Sequence, residues 1–138
     1  MKVVLIHRLD MDDPGSEIAY TDTFKLETDE QKAEMGAELP TEQTFVLEIE
    51  HSKGDCSAFT MAKVESTNIS HIGYDPVMKE MMVGFRRTDP PKGPGGLSLY
   101  LYQKVEAAVF LRIIQAKSVG KRFQQIKKDL VDFEKIAG

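Results

Sequence analysis

Residues 105–137 read VEAAVFLRIIQAKSVGKRFQQIKKDLVDFEKIA, and the periodicity of this stretch decides the fold class. Val105, Val109, Ile113 and Ala116 recur at helical spacing, and Phe110, Ile114 and Lys117 widen the stripe. An apolar face of that width belongs to a helix meant for burial. Ser118 interrupts, and its hydroxyl is suited to accept from the orphan amides of a following helix. A second stripe then steps four, three, four, three through Val119, Phe123, Ile126, Leu130 and Phe133, predicting a helix over 119–135. Two consecutive amphipathic helices with almost no linker are therefore expected, covering β-structure upstream.

The upstream chain fits that role. Val3-Val4-Leu5-Ile6 is a β-branched run, followed by a turn at Asp12-Asp13-Pro14-Gly15. The three aspartates at 10, 12 and 13 match no EF-hand spacing and read as a solvated turn. Ile18 to Leu26 is a weaker strand. Thr28-Asp29-Glu30-Gln31 has the form of a capping box opening a short helix that stops near Gly36. Phe45, Leu47 and Ile49 alternate with Val46, Glu48 and Glu50. Ser52-Lys53-Gly54-Asp55 turns that strand into a partner over Ser57 to Val64. Ile72-Gly73-Tyr74-Asp75, then Met81, Val83 and Phe85, then Leu97, Leu99 and Leu101 supply three more strands. The expected fold is α+β: an antiparallel sheet with the two C-terminal amphipathic helices packed on one face, in a single domain spanning 1–138.

Composition limits the function classes. The 138 residues are 41% hydrophobic and 29% charged, as in ordinary globular proteins. Met1 to Leu9 is too short for a signal peptide and leads into acids, and no apolar run reaches membrane-spanning length. A single cysteine, Cys56, fits a reducing compartment, so a cytoplasmic protein is expected. Residues 1–50 hold 4 Lys/Arg against 13 Asp/Glu, a charge of −9, while residues 104–138 hold 8 against 4, a charge of +4. The acidic half repels polyanions, so a broad duplex-binding footprint is missing, while a local anion site on the helical end is allowed.

The second half resembles a known family. The order Asn68-Ile69, Gly73-Tyr74-Asp75, Val83-Gly84-Phe85, Tyr100-Leu101-Tyr102, Val105, Ala116, Ser118, Gly120, Phe123 is similar to the KTSC domain. That short module is named after the C-terminal region of some lysyl-tRNA synthetases and also stands alone in small bacterial and phage proteins. Its most specific marks are the Y-x-Y of Tyr100 to Tyr102 and the A-x-S-x-G-x-x-F of Ala116 to Phe123. The resemblance spans about residues 66–128 and implies a β-β-α-α unit, with residues 1–65 as an added β-rich half. RNA binding is proposed for the family. Here Glu106 stands where a proline commonly opens the first helix, and Gln124 replaces an asparagine common after the phenylalanine.

Chemistry-bearing residues are sparse. His7, His51 and His71 have no metal-ligand spacing, and no orienting third group is visible for a pair of His51 with Cys56. No catalytic residue, metal ligand or cofactor is therefore expected. Tyr100 and Tyr102 project to one side of their strand. With Leu97, Leu99 and Leu101 turned to the terminal helices, the tyrosines face away from them. There they either stack a base or pack under the N-terminal hairpin or a partner subunit. Ser118, Gly120, Lys121 and Arg122 at a helix start suit a phosphate, or simply join two helices closely. Gly93-Pro94-Gly95-Gly96 lacks a P-loop ending and reads as a hairpin loop. Lys127-Lys128-Asp129 reads as the solvated face of the last helix.

These features lead to a non-enzymatic cytoplasmic binding protein for a nucleotide-like small molecule or RNA, with no membrane partner. Arg86, Tyr100, Tyr102, Ser118, Gly120, Lys121, Arg122 and Gln124 are its candidate ligand residues. The wide apolar stripes predict a homodimer or higher homo-oligomer. A sharper form is a phage-encoded sponge sequestering a cyclic nucleotide signal of bacterial immunity. The competing class is a protein–protein adaptor working through the acidic N-terminal half.

Overall fold

Alternation sets the register of the first half. The structure, a computed structural model, describes residues 1–13, 15–87 and 96–138. In β3 (Phe45–Glu50), Phe45, Leu47 and Ile49 are buried on one face, and Glu48 and Glu50 on the other are exposed. In β4 (Cys56–Lys63), Ser57, Phe59 and Met61 are buried in the same rhythm. Leu47 lies opposite Phe59 on one side and opposite Leu5 of β1 (Lys2–Arg8) on the other, so three side chains form a column on one face. The tight turn between β3 and β4 needs Gly54, whose φ of +89° disfavours any side chain.

Eight strands form one antiparallel sheet in the order β2-β1-β3-β4-β5-β6-β7-β8. β2 (Ile18–Lys25) is one edge. β5 (Ile69–Asp75) joins β4 through Ala62–Ile72 and Lys63–His71, so the first-half strands extend the sheet of the second half. β6 (Glu80–Arg86) and β7 (Leu97–Tyr102) continue it. Successive residues on a strand point to opposite faces, and β6 is buried on both. Met82 packs with Leu97, Leu99, Leu101, Leu5, Leu47 and Phe59 in one core. Met81 and Val83 pack with Tyr102, Ile113, Phe123 and Ile126 in a second. A strand walled in on both sides reads as a continuous apolar run, as Glu80–Arg86 nearly does.

Helix α1 (Asp29–Glu38) carries the expected capping box. Thr28 Oγ1 accepts from Gln31 N at 3.2 Å, and Gln31 Oε1 accepts from Thr28 N at 3.0 Å. Met35 enters the first core, and Gly36 lets the helix touch the sheet: a Cβ there would lie 2.6 Å from the Leu97 carbonyl. In the acidic turn, Asp10 Oδ1 accepts from Asp12 N, and Asp13 Oδ1 accepts from Gly15 N, so these carboxylates hold their own loop. Pro14 of that turn, and Gly93-Pro94-Gly95 with the rest of 88–95, lie outside the described residues.

Two expectations are corrected. The terminal helices are shorter: α2 is Ala107–Ile114, and α3 is Val119–Ile126, followed by a 3-10 turn at Lys127–Asp129. Phe133–Ala137 then forms strand β8, pairing with β7 through Tyr102–Phe133 and Leu101–Glu134. Leu130, Phe133 and Ile136 satisfy a helical stripe, but Phe133–Ala137 as a strand gives β7 its second partner and still buries Ile136 and Ala137. The orientation of β7 is also the reverse of that expected. Its leucines face the N-terminal hairpin and α1, and its tyrosines lie on the α3 side. Among the wide stripes, Phe123 and Leu130 are buried, while Ile114 and Phe133 stay exposed.

Candidate functional site: an aromatic cleft beside α3

The reversed face of β7 brings rings together. Phe133 of β8 stacks on Tyr102 at 5.5 Å and 30°, and Phe123 of α3 meets Tyr102 edge-on at 5.4 Å. Phe85 touches Tyr100 edge-on at 5.6 Å and Phe123 at 5.7 Å. These rings, with Ser98, Leu130, Gln124, Lys127 and Lys128, line a cleft of about 530 Å³. That lies within the range of roughly 300–1,000 Å³ usual for small-molecule sites. No carboxylate is among its lining residues that the structure describes. Lys127 and Lys128 are exposed and make no ion pair among the described residues. Burial, and secondly the neighbouring Tyr100, push the Tyr102 phenol up to about 12, so it remains a neutral donor through the physiological range.

The candidate residues divide into two groups. Tyr100, Tyr102 and Gln124 line the cleft. Ser118, Gly120, Lys121 and Arg122 are not among its lining residues and sit at the start of α3. Ser118 Oγ accepts from Lys121 N at 3.3 Å, and a Cβ on Gly120 would come within 2.7 Å of Ser66 Oγ. Arg86 also stands apart, its Nη1 donating to the carbonyls of Ser66, Thr67 and Ile69, which ties down the entry to β5. The cleft adds Lys127, Lys128, Phe85, Phe123, Leu130 and Phe133. Their sequence signal is a dilysine beside aromatic positions, hidden because the period of residues 119–135 suits a single helix.

Two polar clusters elsewhere are internal fastenings. Ser57 donates to Glu80 Oε1, and His51 Nε2 lies 3.2 Å from Ser57 Oγ and 3.5 Å from Glu80 Oε1. A nucleophilic triad needs the histidine between serine and acid; here the serine hydroxyl is spent directly on the acid. The Cys56 thiol is exposed and turned toward the Gly54 carbonyl. No group of three or more potential metal ligands occurs among the described residues, and no helix is long and apolar enough to cross a membrane.

His71 is fully buried, its Nε2–H donating to the Gln43 carbonyl at 2.6 Å and its Nδ1 accepting from Ser70 Oγ at 2.8 Å. That assignment follows from the partners. Burial holds the imidazole below its ordinary 6.5, against the opposing pull of the Gln43 carbonyl. The unfolded chain then binds the extra proton more readily, so stability rises with pH through this window. The contribution is complete above 6.5 and is lost as pH falls toward the depressed folded value. His71→Gln is expected to flatten the dependence of the urea midpoint on pH just below 6.5; parallel curves for variant and parent would refute this.

The KTSC domain family model matches residues 65–129. Over these residues the chain is similar to the KTSC domain. Its recurring residues have visible structural duties here. Gly73 leaves no room for a Cβ, which would lie 2.8 Å from the Thr60 carbonyl. Tyr74 donates to the Val105 carbonyl at 2.6 Å and stacks on Phe110. Asp75 accepts from Val77 N and Met78 N in its own turn and from Ala58 N across the sheet. The crystal structure of the KTSC domain protein YPO2434 from Yersinia pestis is similar at 26% identity. That match covers 57% of this chain and 99% of that one, with a TM-score of 0.48. No curated protein is significantly similar to this chain.

Proposed function

We propose that this protein binds a nucleotide-like ligand in the cleft between β7, β8 and α3. The observation that carries this reading is the pairing of aromatic walls with an exposed dilysine rim. A heterocyclic base gains from stacking on such rings, and a phosphate gains from nearby ammonium groups. Among the described residues no lining carboxylate opposes an anion. The buried polar trio at Ser57 is not arranged for nucleophilic attack, so binding, without turnover, is the activity proposed.

Size and charge favour a small nucleotide over a long strand. A polyanion runs across a surface and meets the −9 of residues 1–50. A mononucleotide or cyclic oligonucleotide needs only the cleft, and charges beyond a Debye length of about 8–10 Å hardly affect it. Calorimetry against mononucleotides, cyclic dinucleotides and a long single-stranded RNA at two salt concentrations tests this. Saturable binding of the small ligands, with a shallow salt dependence, is expected. Tighter binding of the long strand would overturn the preference, and no binding of any nucleotide would overturn the proposal itself.

A further inference from the structure

Tyr102 presents an unusual combination. It is almost wholly withdrawn from solvent, with only 6% of the residue exposed. Yet its hydroxyl makes no hydrogen bond to any described residue. The oxygen is also not among the sealed buried atoms that lack a partner, where Arg8 Nε stands alone among the described residues. The exposure Tyr102 retains therefore includes its oxygen, which opens on the cleft that the residue lines. Tyr74, by contrast, spends its hydroxyl on the Val105 carbonyl. Buried hydroxyls normally find partners because an unmade bond costs stability.

We propose that Tyr102 is a specificity residue of the cleft, donating its hydroxyl to a keto oxygen of a bound base. This rests on the nucleotide reading above. The ring of Tyr102 is fixed by Phe123 edge-on and Phe133 in a stack, so the hydroxyl direction is set before any ligand arrives. A phenol donates strongly, while its oxygen accepts weakly because a lone pair is shared with the ring. Tyr100 lies close enough for its phenol to act on that of Tyr102, placing a second hydroxyl on the same side. A donating phenol suits a carbonyl oxygen, whereas an exocyclic amine would have to rely on the phenol oxygen as its weak acceptor. Uridine and guanosine nucleotides are selected over cytidine and adenosine nucleotides.

The test is calorimetric titration of the purified protein and of Tyr102→Phe with UMP, CMP, GMP and AMP. The parent is expected to bind UMP over CMP, and GMP over AMP, by about tenfold, the value of one well-made hydrogen bond. Tyr102→Phe should lose that preference by weakening the keto nucleotides alone. It keeps the ring, and with no partner to lose among the described residues, it should unfold at the same temperature as the parent or higher. Equal binding of all four by the parent overturns the specificity and leaves nucleotide binding standing. Retained discrimination in Tyr102→Phe, or a clear drop in its unfolding temperature, assigns the hydroxyl elsewhere and overturns it too. Failure of the parent to bind any of the four removes both readings.

Discussion

Phe123→Ala is expected to destabilise the protein by about 3–5 kcal/mol, the range for truncating a well-packed buried phenylalanine. Phe123 is 1% exposed and touches Phe85 and Tyr102, so it couples α3 to both β6 and β7. Its removal leaves a void where neighbours are held by the sheet and can relax only partly. Val119 and Ile126 on the same face cannot replace it, since each is already packed in that cluster. The midpoint of urea unfolding reads the loss, provided the slope is unchanged. Lys121→Ala, on the exposed side of the same helix, is expected to stay within about 0.5 kcal/mol. A Phe123→Ala loss under about 1 kcal/mol would mean that α3 is not anchored as described. Because Phe123 also lines the cleft, the same variant should weaken any ligand, so it serves as a stability probe and not as a binding probe.

Where one period ruled a segment, the sequence was legible. Phe45, Leu47 and Ile49 alternate without ambiguity, and the hairpin they open is present in register. Thr28 and Gln31 reproduce the capping box they spell. Ser118 caps α3 as expected. Legibility failed where two periods fit the same residues. Leu130, Phe133 and Ile136 suit a helical stripe, and nothing local reveals that β7 still lacks a neighbour on its far edge. Pairing across more than thirty residues decided that segment, through contacts that periodicity cannot contain. The tyrosines were misplaced for a related reason. A strand buried on both faces offers no polar side, so whether Leu99 or Tyr100 faces α3 depends on which core needs which volume. Part of the candidate site was therefore legible as residue types at Tyr100, Tyr102 and Gln124. Its remaining walls required the fold. The motif residues Gly73, Tyr74 and Asp75 also show why a family signature says little about ligands. Close packing, a backbone hydrogen bond and a turn explain all three.

The position of the cationic contact yields the second large expected effect. Cations stand at both ends of α3: Lys121 and Arg122 near its start, Lys127 and Lys128 just past its end. A helix start attracts anions through its free amides, yet one of those amides here is already taken by the Ser118 hydroxyl, and Gly120 is pressed against Ser66. The far end carries the opposite partial charge, so an anion there depends on the lysines themselves. What that end has, and the start lacks, is the aromatic cleft. Lys127→Ala combined with Lys128→Ala is therefore expected to cost about 1.5–3 kcal/mol for each charge-assisted hydrogen bond to the phosphate that it removes. Measured by calorimetry with the tightest nucleotide found, that is about a ten- to hundredfold weakening per bond. Lys121→Ala combined with Arg122→Ala should change the affinity by less than about twofold, the remainder of a screened, longer-range attraction. All four alanine changes spare the buried face of α3, so unfolding midpoints should stay near the parent and keep the two results comparable. The reverse pattern, with the Lys121/Arg122 pair dominant, would place the phosphate at the helix start and remove the cleft as its seat.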